Sequence, residues 1–213
     1  MTIEVLLEGK DLLLKEVHHR IKNNMSIIAS LLSLQAEDSN GEETKTMLDD
    51  TINRIKSISL LYDKLYRSQD YTAFASDEYI RDLVARLKSV FPGRDFVKVV
   101  LELDPIMFKP RLLSSLGLVI NELYTNSMKH AFVGKKEGSI SIRLLRKGEQ
   151  ALLTYHDDGL GQAALKPGTE GMGLLLLESL SQQLNVDFLT DYTDGFSCEM
   201  TFVIPVMETS QHE

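Results

Sequence analysis

The sequence predicts an α+β protein in which an N-terminal helical hairpin is followed by an α/β sandwich. In the first third of the chain, apolar residues recur at spacings of three and four, which is the period of an amphipathic helix. From about residue 76 onward, helical patterns alternate with short β-branched and apolar runs, which indicates one helix layer on a mixed sheet. We expect residues 1–72 to form the hairpin and residues 73–213 to form the sandwich domain.

The composition is that of an ordinary globular protein with excess negative charge. Of its 213 residues, 43% are hydrophobic and 25% are charged, and the net charge of −8 argues against non-specific nucleic-acid binding. The single Cys198 excludes an internal disulfide and a cysteine-rich metal site, and the five histidines lack the spacing of a structural zinc site. No apolar run approaches the roughly 20 residues that cross a bilayer, and we see no secretion signal. We therefore expect a cytoplasmic protein that is not inserted in a membrane.

The first predicted helix covers residues 3–36 and carries an apolar stripe. The stripe consists of Leu14, Val17, Ile21, Met25, Ile28, Leu31 and Leu32. His18 flanks this stripe, whereas His19 points away from it towards solvent. The basic neighbours Arg20 and Lys22 would attract a phosphate group, which favours a reactive role for the exposed imidazole. The alternative is that His19 is an ordinary surface residue without a function.

A second amphipathic run follows the turn-forming segment 37–41. Its apolar positions are Met47, Leu48, Ile52, Ile55, Ile58, Leu61, Tyr62 and Leu65. Two such helices with a short connector form an antiparallel hairpin. A lone hairpin cannot bury both stripes, so we expect a homodimer in which two hairpins form a four-helix bundle. The alternative is that the hairpin packs on the rest of its own chain.

The second part is predicted to contain three helices and five strands. The helices cover residues 76–91, 110–131 and 174–184, and the strands cover 96–103, 139–146, 151–157, 186–191 and 196–204. Ser76 is expected to cap the first of these helices, since its hydroxyl stands where free backbone amides need an acceptor. Pro110 suits the first turn of the next helix, where its missing amide costs nothing.

Three polar motifs lie in this second part. On the helix 110–131, the side chains of Glu122, Asn126, Lys129 and His130 share one angular sector. They offer oxygen ligands for Mg²⁺ and a cation for phosphates, although the same pattern also suits a solvated helix face.

The other two motifs are rich in glycine. Asp157-Asp158-Gly159-Leu160-Gly161 ends a predicted strand, and its glycines let the backbone turn sharply and approach a ligand closely. Gly171-Met172-Gly173-Leu174 leads directly into a helix, where free amides and the helix dipole favour an anion. Taken alone, the first could be a tight loop with a solvated aspartate and the second a flexible connector.

The order and spacing of these motifs are more specific than any one of them, and the chain resembles the catalytic core of sensor histidine kinases, in the subgroup related to the HWE kinases. The first part is similar to that subgroup's dimerisation and phosphoacceptor helices, through the segments 16–24 and 31–36. The second part looks like the Bergerat-fold ATP-binding domain shared with gyrase and the mismatch-repair ATPases. The resemblance covers about residues 10–205.

The resemblance implies roles for individual residues. The histidine that precedes the arginine is the phosphorylated one in the family, which is His19 before Arg20. Arg20 would steady the charge during transfer, and Glu122 would polarise the attacking imidazole or organise metal-bound water. The family's magnesium-binding asparagine falls on Asn126.

The remaining implied roles concern the nucleotide. Lys129 and His130 would face the phosphates, and Asp157 would read the adenine amino group. Gly159 and Gly161 would shape the adenine pocket, and Gly171 and Gly173, followed by Leu174, would hinge a lid over the triphosphate. The chain departs from the family at Ser197-Cys198, where a Gly-Thr pair usually stands, which puts one adenine contact in doubt.

The implied reaction is ATP- and Mg²⁺-dependent autophosphorylation of His19, followed by transfer to an aspartate on a response-regulator receiver domain. We see no sensor module before Leu12, so we expect the signal to come from a sensor domain or partner not in this chain. One alternative is a histidine phosphotransfer or scaffold protein with an inactive ATPase-like domain, against which the intact Asn126 and Asp157 motifs argue. A serine kinase of the anti-sigma type is a third reading, against which the His19-Arg20 block argues.

Overall fold

The computed structural model describes the first helix, part of the second amphipathic run and most of the α/β domain. The described residues are 3–39, 41, 44–45, 47–49, 51–52, 55, 59, 74–161, 178–182 and 186–204. For residues 3–15, 18 and 111 the description covers the backbone alone. The chain divides into two compact units, Met1–Tyr71 and Thr72–Glu213.

The first unit begins with α1, a helix of 36 residues from Ile3 to Asp38. It confirms the predicted first helix and continues two residues further. Ala29 and Ala36 are buried, with Met25 and Leu32 half-buried at matching spacings of three and four. The other apolar face is exposed, with Ile28 at 48%, Leu31 at 57% and Leu34 at 60% of their accessible area. The single chain therefore leaves much of the predicted stripe uncovered.

The second amphipathic run is helical wherever the structure describes it. The helical positions are Thr44, Lys45, Met47, Leu48, Asp49, Thr51, Ile52, Ile55 and Ser59. The amide of Lys45 donates to the carbonyl of Gly41 over 2.9 Å, which starts this helical stretch. Ile52 is buried, as its place in the apolar pattern predicts.

Among its described residues, the second unit contains two α-helices with assigned ends, a π-helical turn and seven strands. In chain order these are β1 (Phe74–Ala75), α2 (Ser76–Val90), β2 (Val97–Leu103), β3 (Met107–Phe108), α3 (Pro110–Asn126), the π-helical turn Ser127–Ala131, β4 (Gly138–Lys147), β5 (Gln150–Asp157), β6 (Phe188–Asp191) and β7 (Phe196–Val203). Residues 178–182 are helical as well, inside the predicted helix 174–184, whose other residues lie outside the described ones. Most bounds agree with the sequence prediction within two residues. The two-residue strands β1 and β3 were not predicted, since so short a pairing has no periodic pattern.

The five longer strands form a mixed sheet in the order β2-β4-β5-β7-β6. β2 runs parallel to β4, and the other neighbours are antiparallel. Alternate residues are buried along the three central strands, including Ile140, Ile142, Leu144, Leu153, Tyr155, Cys198, Met200 and Phe202. The apolar faces of α2 and α3 are buried as well, so one helix layer and one sheet face form the core. This is the predicted α/β sandwich.

The start of α2 differs from its prediction. Ala75, not Ser76, is the N-cap residue, and it makes no side-chain capping bond. The buried Ser76 hydroxyl instead donates to the carbonyl of Asp104 and accepts from the amide of Ile106, each over 3.2 Å. The prediction was wrong because local sequence cannot show that residues 104–106 come to lie against this helix start.

The end of the helix at 110–131 also differs in form. The regular α-helix stops at Asn126, and residues Ser127–Ala131 form a π-helical turn. A π-helical turn has more residues per turn than an α-helix, so the positions after Asn126 are rotated away from the sector that an ideal helix gives them. Arg94 stabilises the end of this turn, since its Nη1 donates to the carbonyl of Phe132 over 3.2 Å.

Candidate functional site

Several polar groups of the α/β domain meet at the end of β5, where Asp157 lies. Its side chain is buried at 1% exposure, on the inner face of the sheet. Oδ2 accepts a hydrogen bond from Ser127 Oγ over 2.5 Å, and Oδ1 accepts one from the amide of Gly159 over 2.9 Å. Two elements, the π-helical turn and the loop after β5, therefore hold one carboxylate. A buried carboxylate requires such donors, because an unpaired one is very costly to desolvate.

Ser127 is in turn bonded to Tyr155. The Tyr155 hydroxyl donates to Ser127 Oγ over 2.8 Å, and both side chains are buried. Burial raises the pKa of Tyr155 well above its ordinary value, and the negative charge of Asp157 acts in the same direction. The phenol therefore keeps its proton and remains a donor at neutral pH.

The loop after β5 passes directly beneath the end of the π-helical turn. The amide of Leu160 donates to the carbonyl of Ala131 over 2.9 Å. A Cβ on Gly159 would lie 2.3 Å from the Ala131 Cβ and 2.7 Å from Asp157 Oδ1. Only glycine fits at position 159, because any side chain would push the loop, the turn or the carboxylate aside.

A second close backbone approach joins this loop to the β6–β7 hairpin. Gly161 is buried with φ of +52°, and a Cβ there would lie 2.6 Å from the carbonyl oxygen of Tyr192. Gly195, in the hairpin turn, has φ of +74°. The loop that follows Asp157 is therefore packed so closely against its neighbours that positions 159 and 161 have no room for a side chain.

Asp158 has a different environment from Asp157 and is exposed. Its Oδ1 accepts from the amide of Ser139 over 2.7 Å, and its own amide donates to the Ser139 carbonyl over 3.1 Å. The ammonium group of Lys135 donates to the carbonyls of Asp158 and Gly159, the latter over 3.2 Å. Asp158 and Lys135 therefore fasten the loop to β4 and to the segment after the π-helical turn.

The helical motif lies along α3 and the π-helical turn. Glu122 is fully buried, and Asn121 Nδ2 approaches its Oε1 at 3.5 Å. Asn126 is half-buried, and it directly precedes Ser127, the residue that donates to Asp157. Lys129 is half-buried and His130 is exposed. Glu122 and Asn126 lie on the regular helix, so they share one face as predicted. Lys129 and His130 lie on the π-helical turn, so their directions differ from those of an ideal α-helix.

The predicted phosphoacceptor segment lies in the other unit, on α1. His19 is exposed, and Arg20 Nε pairs with Glu16 Oε1 over 2.8 Å, one helical turn away. Both partners of this pair are largely exposed, so it adds little to stability. The side chain of His18 lies outside the described residues, as do Gly171, Gly173 and Leu174.

The departure noted at Ser197-Cys198 lies on β7. Cys198 stands opposite Tyr155, and Ser197 stands opposite His156 on the outer face. Cys198 is buried, and burial raises the pKa of its thiol to about 12. Phe196, two residues earlier on the inner face, is the direct cross-strand neighbour of Asp157. A neutral thiol and an aromatic ring therefore stand on the strand beside the carboxylate.

Four residues at the site were not identified from the sequence as part of it. They are Ser127, Lys135, Tyr155 and Gly195. Two of them had a usable signal: Tyr155 precedes Asp157 by two residues and so shares its strand face, and Ser127 directly follows Asn126. Lys135 and Gly195 act through the backbone of residues distant in sequence, which no local pattern reveals.

The described part of the chain contains neither a metal-binding cluster nor a membrane-spanning helix. Within those residues, no group of three or more His, Cys, Asp or Glu side chains is arranged to hold a metal ion. Among the helices that the structure describes, none has the length and apolar character needed to span a bilayer.

Known proteins share both units. Residues 16–91 match the family described as histidine kinase, and residues 83–193 match the histidine kinase-like ATPase domain. Sensor histidine kinase PdtaS of Mycobacterium tuberculosis H37Rv is 32% identical over 82% of this chain and 35% of its own length. Blue-light-activated histidine kinase 2 of Erythrobacter litoralis is 26% identical over 82% of this chain and 51% of its own. The histidine kinase domain of Erythrobacter litoralis EL346 has a similar structure, with a TM-score of 0.65, 24% identity, and coverage of 91% of this chain and 92% of that one.

The part of the α/β sandwich that carries the buried Asp157, with Gly159 and Gly161 in the loop after it, falls within the match to the histidine kinase-like ATPase domain. The chain belongs to the histidine kinase family, and the ATPase-domain match alone covers more than half of it. The resemblance and the fold class predicted from the sequence are confirmed. The chain spans about a third of the length of the PdtaS relative and about half of the blue-light kinase.

Proposed function

We propose that this chain is the catalytic core of a sensor histidine kinase that phosphorylates itself on His19 at the expense of ATP. The phosphoryl group then passes to an aspartate on a response-regulator receiver domain. We assign residues 1–72 to dimerisation and phosphoacceptor function and residues 73–213 to ATP binding and catalysis. Family membership supports the class of activity, and the arrangement around Asp157 supports the nucleotide.

The buried carboxylate of Asp157 is the observation that carries the proposal. Each oxygen accepts one bond from the protein, and a carboxylate oxygen has two lone pairs, so acceptor capacity remains. The exocyclic amino group of adenine is a donor that would match it. Gly159 and Gly161 let the backbone approach a flat ring closely, because neither position carries a Cβ.

The residues of α3 and the π-helical turn fit the charged end of the nucleotide. Asn126 offers a neutral amide oxygen, a ligand type that Mg²⁺ accepts together with phosphate oxygens. When bound, Mg²⁺ would neutralise charge that develops on the phosphates during transfer. Lys129 and His130 follow on the same turn and supply further donors. We also propose that Gly171 and Gly173 hinge a lid over the triphosphate and that Leu174, which follows them, contributes to nucleotide binding.

The transfer step uses the exposed imidazole of His19. A neutral ring nitrogen attacks the γ-phosphorus, the bond to the β–γ bridging oxygen breaks, and ADP leaves with that oxygen. The attacking histidine then loses its proton, which Glu122 would help to withdraw. Arg20, next to the new phosphohistidine, would steady its negative charge. Most of the acceleration would come from positioning and charge neutralisation, as is general for phosphoryl transfer.

The exposed face of α1 supports a homodimer. Ile28, Leu31 and Leu34 lie on one side of the helix and are about half exposed or more in the single chain. Large apolar side chains clustered on one surface mark an interaction site. A second copy of the hairpin would bury them in a four-helix bundle and would present His19 on its outside.

The test is incubation of the purified full chain with radiolabelled ATP and Mg²⁺. We expect acid-labile, base-stable label on the wild type and on His18→Ala, and none on His19→Ala, although His19→Ala should still bind ATP. Asn126→Ala should lose label and Mg–ATP binding together. Label that persists on His19→Ala would refute the acceptor assignment. ATP binding without label on the folded wild type would indicate a scaffold instead of a kinase.

A further inference from the structure

Three buried side chains from two elements form one continuous hydrogen-bond chain at the site. Tyr155 lies on β5, Ser127 begins the π-helical turn, and Asp157 ends β5. The successive distances are 2.8 Å from Tyr155 Oη to Ser127 Oγ and 2.5 Å from Ser127 Oγ to Asp157 Oδ2. All three side chains are at most 3% exposed.

The direction of this chain follows from chemistry. An ionised carboxylate can only accept, so the proton between Ser127 and Asp157 belongs to the serine. A hydroxyl carries a single hydrogen, so Ser127 must accept from Tyr155, and Tyr155 must donate. Each of these hydrogen bonds therefore has a fixed donor and a fixed acceptor, and the last acceptor is Asp157 Oδ2.

We propose that Ser127 and Tyr155 are positioning residues that fix the Asp157 carboxylate as an acceptor for the adenine amino group, and so determine the choice of adenine over a 6-keto purine. This inference rests on the proposed nucleotide site. Ser127 holds Oδ2 while the Gly159 amide holds Oδ1, so the carboxylate plane is tied at both ends.

Such fixation matters because recognition by a single carboxylate depends on its orientation. A carboxylate held in place loses no rotational freedom when the ligand binds, which increases affinity. Both protein contacts are donors, so each oxygen of the Asp157 carboxylate serves as an acceptor in this arrangement. A 6-keto purine presents an oxygen at the place of the amino group, and two acceptors would then face each other. The hydrogen bonds from Tyr155 through Ser127 to Asp157 therefore favour binding of ATP over binding of ITP.

The experiment measures binding of ATP and ITP to the full chain, together with thermal unfolding, for four variants. Ser127→Ala removes the bond to Asp157, and we expect about tenfold weaker ATP binding with ITP binding changed less than about twofold. Tyr155→Phe removes only the far donor, and we expect a smaller loss of about threefold. The double variant tests whether the two act in series. Ser141→Ala, the same change on the outer face of β4, should alter neither affinity.

The double variant also separates positioning from general stability. Ser127→Ala strands the buried Tyr155 hydroxyl and should lower the melting temperature, and adding Tyr155→Phe should restore part of it. The weak ATP binding should persist in the double variant. Equal weakening of ATP and ITP, or unchanged ATP binding in Ser127→Ala, would overturn the inference alone. Failure of the folded wild type to bind ATP at all would overturn the proposed function as well.

Discussion

Gly195, in the turn between β6 and β7, lies against the backbone of Asp157. A Cβ added to Gly195 would stand 1.8 Å from the Asp157 carbonyl oxygen and 3.0 Å from the Asp158 Cα. The hairpin at the edge of the sheet is therefore pressed onto the strand end that carries the buried carboxylate. The position of the carboxylate depends on a residue 38 positions further along the chain.

Replacing Gly195 by alanine should destabilise the domain strongly. The left-handed backbone alone costs about 1–2 kcal/mol for a residue with a Cβ. The clash with Asp157 adds to this cost, because the nearest atoms belong to the backbone of Asp157 and Asp158 and cannot rotate away. Gly148→Ala is the matched control, since Gly148 has φ of +65° and open space around its Cβ position. Urea unfolding should show a clearly larger loss for Gly195→Ala, and equal losses would contradict the close packing.

Gly159→Ala should weaken the binding of ATP. The new methyl group would press on Ala131 and on Asp157 Oδ1, so the carboxylate must leave its present position. Loss of a hydrogen bond to a charged group corresponds to about tenfold or more in affinity. Gly134→Ala, with φ of +77° and no neighbour within 4 Å, serves as control and should retain ATP affinity. Calorimetric titration distinguishes the two, and normal binding by Gly159→Ala would argue against this adenine site.

Lys135→Met should loosen the loop that follows β5. The ammonium group bonds two successive carbonyls, and methionine keeps most of the aliphatic stem without the donors. We expect a loss of about 1–2 kcal/mol in the free energy of unfolding. Lys136→Met, at the exposed neighbouring position, should stay within about 0.5 kcal/mol of the wild type. Faster hydrogen exchange at the amides of residues 158–160 in Lys135→Met would locate the effect.

Alkaline pH should destabilise the fold in two stages. Burial raises the pKa of Cys198 from 9.0 to about 12 and that of Tyr124 from 10.0 to about 12. A raised folded pKa means that the unfolded chain loses its proton first, so stability is full below pH 9 and falls above it. Each group contributes a slope of about −1.4 kcal/mol per pH unit between its two pKa values. Cys198→Ala should therefore flatten the decline between pH 9 and 10, while Tyr124→Phe should act only above pH 10. A decline in Cys198→Ala as steep as in the wild type would contradict this assignment.

The sequence was sufficient for the elements and for the class of protein, and less so for the site. Periodicity located α1, α3 and the central strands, because burial of one face dictates the spacing of apolar residues. The motif around Asp157 could also be predicted, because glycines after a strand indicate a sharp backbone turn from local sequence alone. The π-helical turn was not, because it depends on how residues 127–131 fit against β5 and Arg94. Ser76 and Gly195 likewise take their roles from distant segments that only the folded chain brings near.

The dimer proposal has its own decisive variant. Leu31 is 57% exposed in the single chain, and glutamate at this position would place a charge in the bundle interior if two hairpins pair. We expect Leu31→Glu to raise the dimer dissociation constant by about 30-fold or more, as loss of a central interface residue typically does. Leu189→Glu is the control, because Leu189 is 72% exposed on the edge strand β6 and should not affect association. Analytical ultracentrifugation measures both. If Leu31→Glu dimerises as the wild type does, this face of α1 lies outside the interface, and the hairpin packing on its own chain becomes the better explanation.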